Sequence, residues 1–217
     1  MLGDSDDIKV VGQLGAYLTK TVRAKQNIGR GFVVPIDKYV GYGMSNEILR
    51  IFDEMKLDQV ILRASPATAR DANETIRKVS RNNLLSTINY MQENAKRRYE
   101  PCAIVVQELL DGEFCGKVHS CNIYTGAQDE ILIEAKLWAN NSVLGDDEEP
   151  EMILVNKKDG TVSLESNEDE LILEAKQVQE IYRAVRKVEQ FVDSPVSLDW
   201  GFVNGVLYIL RTRPIGK

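Results

Sequence analysis

Hydrophobic positions divide the chain into a helical opening, a run of strands, one more long helix and a terminal hairpin. Ile8, Val11, Leu18 and Val22 recur at helical spacing behind Asp6 or Asp7, which can cap the helix, and the pattern ends before Gly29. Gly31-Phe-Val-Val-Pro35 reads as a short buried strand. Ser45 is then expected to cap a second helix carrying Ile48, Leu49, Phe52 and Met55 on its apolar side. Gln59–Arg63 is an apolar strand, and Leu84 to about Lys96 is helical. Strands follow near Cys102–Gln107, Phe114–Tyr124, Ile131–Ala135, Met152–Asn156 and Thr161–Leu164, the last two joined by a turn over Asn156–Gly160. Leu171, Val178, Ile181, Val185, Val188 and Phe191 mark the last helix by their spacing of three or four. This order predicts an α+β fold rather than repeated βαβ units.

Two strand-like runs flank Asn204-Gly205, a strong hairpin signal. A two-residue turn would place Asp199 and Arg211 on opposite faces. A three-residue loop, Val203-Asn204-Gly205, segregates the strands better and is the expectation here. Leu198, Trp200, Phe202, Val206, Tyr208 and Leu210 then share an apolar face, and Ser197, Asp199, Arg211 and Arg213 share the other. A carboxylate with two guanidinium groups on rigid strands suits phosphate. A solvated face with a cross-strand ion pair explains the same residues.

Composition changes this picture little. A net charge of −6, with Lys96-Arg-Arg98 as the one basic tract, argues against nucleic acid as the principal partner. No apolar run reaches membrane-spanning length and no signal pattern opens the chain, so a cytoplasmic protein without a membrane partner is expected. Cys102, Cys115 and Cys121 lack metal-ligand spacing and read as reduced, semi-buried thiols. The one histidine, His119, reads as structural. Gly145–Pro150 reads as an acidic solvated loop. There is no Gly-rich phosphate loop of the Gly-Lys-Ser/Thr type and no dinucleotide fingerprint.

Several segments, in order, resemble the N-terminal nucleotide-binding domain of phosphoenolpyruvate synthases and pyruvate phosphate dikinases, an ATP-grasp fold. They are Gly15-Ala-Tyr-Leu18, Gly31–Val34, Leu62-Arg-Ala-Ser65 with Ala67–Asp71, Ile104-Val-Val-Gln107, Tyr124–Gly126 with Asp129–Ala135, Ser197-Leu-Asp-Trp200 and Leu207–Pro214. The resemblance implies a single ATP-grasp-like domain over 1–217, with lobes of about 1–100 and 101–217 as an alternative division. It implies ATP and Mg2+ as cofactors, with Arg63, Gln107, Asp199, Arg211 and Arg213 around the nucleotide. Arg63 and Arg213 would contact phosphates in catalysis, Gln107 would lie on the strand reaching the adenine pocket, and Asp199 would serve the metal. The implied activity is kinase-like, with phosphate passed to a histidine on a separate phosphohistidine-domain protein, because neither that domain nor a pyruvate-binding barrel fits in this length.

The departures point the other way. Leu14 stands where the family has lysine, Ser197 and Asp199 replace its Asp and Glu, and Arg211 replaces a metal-side Gln. Arg211 cannot coordinate a cation and would repel Mg2+ while pairing with Asp199. Only Ala72-Asn-Glu74 separate Asp71 from Thr75, where the family has a lid over the phosphates. A catalytically degenerate module that holds a nucleotide or other anion for regulation or scaffolding is therefore the alternative to an active phosphotransferase.

Overall fold

In a computed structural model, residues 1–68, 74–98, 100–138, 149–164 and 172–216 are described. Leu171, Asp71 with Ala72 and Asn73 of the shortened lid segment, and most of the acidic loop lie outside them. The chain forms two compact units, Met1–Val22 with Gly29–Leu109, and Arg23–Ile28 with Leu110–Lys217.

The first unit is a four-stranded antiparallel sheet in the order β1 (Gly31–Val34), β4 (Cys102–Glu108), β2 (Gln59–Pro66), β3 (Thr75–Ser80). Side chains alternate across it. Val60, Leu62, Ala64, Cys102, Ile104 and Val106 face a core shared with α2 (Tyr42–Glu54) and α3 (Arg81–Arg98). Asp7 caps α1 (Ile8–Arg23), accepting from the Lys9 N–H at 2.9 Å. The helix breaks at Gly12, φ 68° and ψ 177°, where an added Cβ would stand 1.8 Å from the Ser65 carbonyl oxygen. Only glycine admits that backbone approach, and Ser65 Oγ fixes it by donating to the Val11 carbonyl and accepting from Gly15 N–H.

Two expectations need correction here. Ser45 does not cap α2, because Gly41 is the N-cap and the Ser45 hydroxyl donates back to the Gly41 carbonyl from inside the first turn. The strand Thr75–Ser80 was not anticipated. Its Thr-Ile-Arg-Lys-Val-Ser sequence is short and mostly polar, and it is held as an edge by β2 pairing.

At the rim of this unit, Glu108 accepts from the backbone N–H and guanidinium of Arg30, which also donates to Met55 O at 2.7 Å. The Arg30 hydrogen bonds hold the Glu108 carboxyl below its ordinary value, against the opposing effect of burial. A depressed carboxylate stabilises the fold above its unfolded pKa, and that contribution is lost as pH falls through the folded value. Glu108→Gln should therefore destabilise the protein at pH 6, and the gap from wild type should close towards pH 3. Urea melts at the two pH values check this.

The second unit is a six-stranded antiparallel sheet in the order β10 (Val206–Pro214), β9 (Val196–Val203), β5 (Phe114–His119), β6 (Glu130–Leu137), β7 (Glu151–Asn156), β8 (Val162–Leu164). One face carries Val118, Ile133, Ile153, Leu198, Trp200 and Phe202 under α4 (Ala175–Val192), whose Val178, Ile181, Val185 and Val188 complete the core. The strand expected to run to Tyr124 ends at His119; Asn122 Oδ1 then accepts from the Tyr124 and Thr125 N–H groups to make a turn.

The terminal hairpin also departs from expectation. Val203 pairs with Val206, so Asn204 (φ 50°) and Gly205 (φ 70°) form a two-residue turn, the left-handed pair of type I′. Asp199 and Arg211 are nevertheless direct partners, because a register shift between Ile209 and Arg211 inserts Leu210 as a bulge. The polar grouping survives by a different device. The apolar one does not: Leu207 and Ile209 join the α4 core, while Tyr208 and Leu210 pack with Cys115 and Trp138 on the opposite face.

All three cysteines are buried and reduced. Burial pushes the Cys102 thiol up to about 11 and also raises Cys121, so neither is thiolate near neutrality. Native protein at pH 8 should react slowly with a disulfide reagent, and all three thiols should titrate promptly once urea unfolds it. A fast native thiol would contradict the burial.

Candidate functional site

The anticipated site residues fall into two groups, one in each unit. In the first unit Arg63 and Gln107 lie on the sheet face opposite the α2–α3 core, on adjacent strands. Arg63 is 9% exposed and its guanidinium donates to Gln107 Oε1 at 2.5 Å. The Gln107 Nε2 is buried and has no hydrogen-bond partner among the described residues. An orphaned buried donor costs on the order of 1–3 kcal/mol, so Gln107 keeps one amide donor in reserve for an acceptor.

In the second unit the sheet face opposite α4 carries a cross-strand row of alternating charge. Arg211 on β10 stands opposite Asp199 on β9, which stands opposite Lys117 on β5, which stands opposite Glu134 on β6. A second row places Arg213 opposite Ser197 and Ser197 opposite His119. The Arg213 guanidinium is 3.6 Å from Asp199 Oδ1, so one carboxylate faces three cations. Burial and the neighbouring Arg213 push Arg211 below the usual guanidinium value, and Asp199 offsets this only in part. Two guanidinium groups and an ammonium gathered around one carboxylate have the chemistry to hold an added anion.

Asp199 does not fit a protein-held Mg2+. Its neighbours are cations, and among the described residues no three His, Cys, Asp or Glu side chains come together as a metal site. Glu134 lies farther along the row, where His119 Nε2 stands 3.5 Å from its Oε1. The His119 contact, with a smaller contribution from Lys117, holds the Glu134 carboxyl below its ordinary value against burial. His119 is 7% exposed and both ring nitrogens are buried, which suits a structural partner of Glu134.

Lys117 and Glu134 were not singled out from sequence. Their signal was the alternation in Gly116-Lys-Val-His119 and Ile133-Glu-Ala-Lys136, which fixes their common face once β5 and β6 pair.

No family model matches the chain. Among curated proteins, an uncharacterised phosphotransferase, YvkC of Bacillus subtilis, is 27% identical over 134 residues, covering 52% of this chain and 16% of its own. A probable phosphoenolpyruvate synthase of Methanocaldococcus jannaschii is 23% identical over 137 residues, covering 52% and 12%. The chain thus spans under one fifth of the length of these relatives. Among solved structures, the biotin carboxylase domain of Hydrogenobacter thermophilus 2-oxoglutarate carboxylase, in complex with MgADP, ADP and bicarbonate, matches all of this chain and 40% of its own. Its TM-score is 0.56 at 13% identity. The architecture is the ATP-grasp fold. Over about half its length the chain is similar in sequence to a phosphotransferase and to a probable phosphoenolpyruvate synthase. No helix among the described residues is long and apolar enough to cross a membrane.

Proposed function

We propose that this domain binds ATP through its phosphates on the polar face of the second unit's sheet, with Arg211 and Arg213 as the gripping groups. The observation that carries the reading is the crowding of Arg211, Arg213 and Lys117 around one carboxylate, with Arg211 held below its ordinary pKa by burial and by Arg213. Each guanidinium offers a planar fork that matches two phosphoryl oxygens, and anchorage on rigid strands reduces the ordering needed on binding. Lys117 adds a point charge from the next strand. Asp199 is the counter-ion of both arginines in the absence of nucleotide, and a phosphate would compete with it.

Arg63 and Gln107 are assigned to nucleotide binding by the family resemblance, and the free Gln107 amide donor supports the assignment. The names of the related proteins, a phosphotransferase and a phosphoenolpyruvate synthase, support phosphoryl transfer as the chemistry, and the family resemblance adds a histidine on a separate protein as the acceptor. In such a transfer these side chains would orient the phosphates and neutralise charge on them. The second reading, a nucleotide-holding module without turnover, is favoured by one observation. Arg211 occupies the position beside Asp199 where a metal-side ligand would be needed.

Isothermal titration with ATP tests the binding. Wild type should bind, and Arg213→Ala should weaken affinity on the order of tenfold or more, as expected for one charge-assisted contact. No binding at millimolar ATP would end the proposal. A phosphotransfer rate that requires Asp199 would end the reading without turnover.

A further inference from the structure

A second concave site lies wholly within the second unit, on the α4 side of the sheet and so opposite the face of Asp199, Arg211 and Arg213. It has a volume of about 390 Å3 and is bounded by α4, the segment Lys25–Asn27 and the tip of the terminal hairpin. The wall is built by the β10 edge. Ile209 N–H donates to the Asn27 carbonyl at 2.8 Å, and Asn27 Nδ2 donates to the Leu207 carbonyl at 3.2 Å, so the segment is fastened alongside β10.

Three cations line this pocket: Lys25, Arg183 and Lys187. Arg183 and Lys187 are four residues apart on one helix, a like-charge pair that disfavours an isolated helix. Lys25 holds a left-handed backbone, φ 58°, which a non-glycine residue adopts at a cost. None of the three side chains makes a hydrogen bond or ion pair among the described residues. The single lining carboxylate, Glu180, is shared with Lys176 at 3.9 Å. A net positive concavity is thus maintained in a chain of net charge −6. Its remaining lining is divided between the apolar Ala184, Val206, Leu207 and Ile209 and the amides Gln26 and Asn27, and Val206 is 42% exposed.

We propose that this pocket binds an organic phosphate monoester, its phosphate held by Arg183, Lys187 and Lys25 and its apolar body lying on Ala184, Val206 and Leu207. The volume falls in the range of small-ligand sites, and the split between cationic and apolar lining matches an anion with an apolar tail better than a free inorganic ion. The site is distinct from the proposed nucleotide face, and neither depends on the other.

The test is a titration of the 15N-labelled protein with phenyl phosphate, with inorganic phosphate and ATP in parallel. Amide signals of Lys25, Arg183, Lys187 and Val206 should move with phenyl phosphate. The Arg183→Glu/Lys187→Glu variant should lose affinity on the order of tenfold or more while its response to ATP at Arg211 and Arg213 stays. Lys25→Asn, which tolerates the left-handed backbone, should weaken phenyl phosphate severalfold without unfolding risk. No movement at millimolar phenyl phosphate, or movement unchanged by the charge reversals, overturns the site. Equal affinity for inorganic phosphate overturns the apolar half of the assignment. Arg213→Ala should leave phenyl phosphate binding intact, so the two sites fail or stand separately.

Discussion

Asp199→Asn should make the protein less stable and bind phosphate more tightly. Asp199 is 15% exposed at its side chain, stands opposite both Arg211 and Lys117, and approaches Arg213. Removing one partner of a buried ion pair costs about 3–5 kcal/mol, since the remaining charge is left without compensation. Arg213 is 41% exposed and water shares its charge, so a loss of about 2 kcal/mol is the expectation for this cluster. The same change removes the one negative charge that competes with a phosphate, so anion affinity should rise, and added phosphate should recover part of the lost stability. Thermal melts with and without phosphate read both effects. If Asp199 instead held a metal, Asn would weaken Mg2+-dependent nucleotide binding and phosphate would recover nothing.

Trp200→Ala should cost more than any substitution on the polar face. Trp200 is completely buried on β9 and packs edge-on to Phe202, with ring centroids 5.8 Å apart and planes at 73°. It belongs to the core formed by α4 with Val118, Ile133 and Leu198. Truncating a buried tryptophan costs about 3–5 kcal/mol, through lost transfer energy and the cavity left behind. A stability loss of that size consumes much of what a domain of this kind has. Denaturant unfolding gives the value directly; a loss below 1 kcal/mol would mean that the packing around Trp200 is wrong. The indole N–H has no partner among the described residues, so Trp200→Phe should recover most of the loss.

The sequence made legible those features that local pattern controls. The helix over 8–23, the buried strand ending in Val34 and the long last helix follow from spacing of three or four or from short apolar runs bounded by glycine and proline. The α+β class follows from their order. Features set by long-range pairing were less accessible. Thr75–Ser80 is a strand because β2 offers an edge, and nothing in its own six residues demands it. The hairpin shows the difference most sharply. Asn204-Gly205 fixed the turn correctly as a site, but the bulge at Leu210, invisible to alternation, decides which residues share a face with Asp199.

Asp199, Arg211 and Arg213 follow from the hairpin pattern and Arg63 and Gln107 from the family resemblance, and within each unit the fold brings these residues together. Arg63 binds Gln107, and Arg211 and Arg213 flank Asp199. Lys117 and Glu134 escaped notice because their relevance depends on which strand lies between β9 and β6. That neighbour relation is a property of the sheet order, not of any one segment.

The placement of the nucleotide phosphates on the Arg211–Arg213 face is tested most directly by following the amide signals of the 15N-labelled protein during ATP titration, in wild type and in the Arg211→Ala/Arg213→Ala variant. The proposed function predicts shifts centred on Lys117, Asp199, Arg211 and Arg213 in wild type, and their loss at the same ATP concentration in the variant. Shifts that bypass β9 and β10, or that persist in the variant, would contradict it.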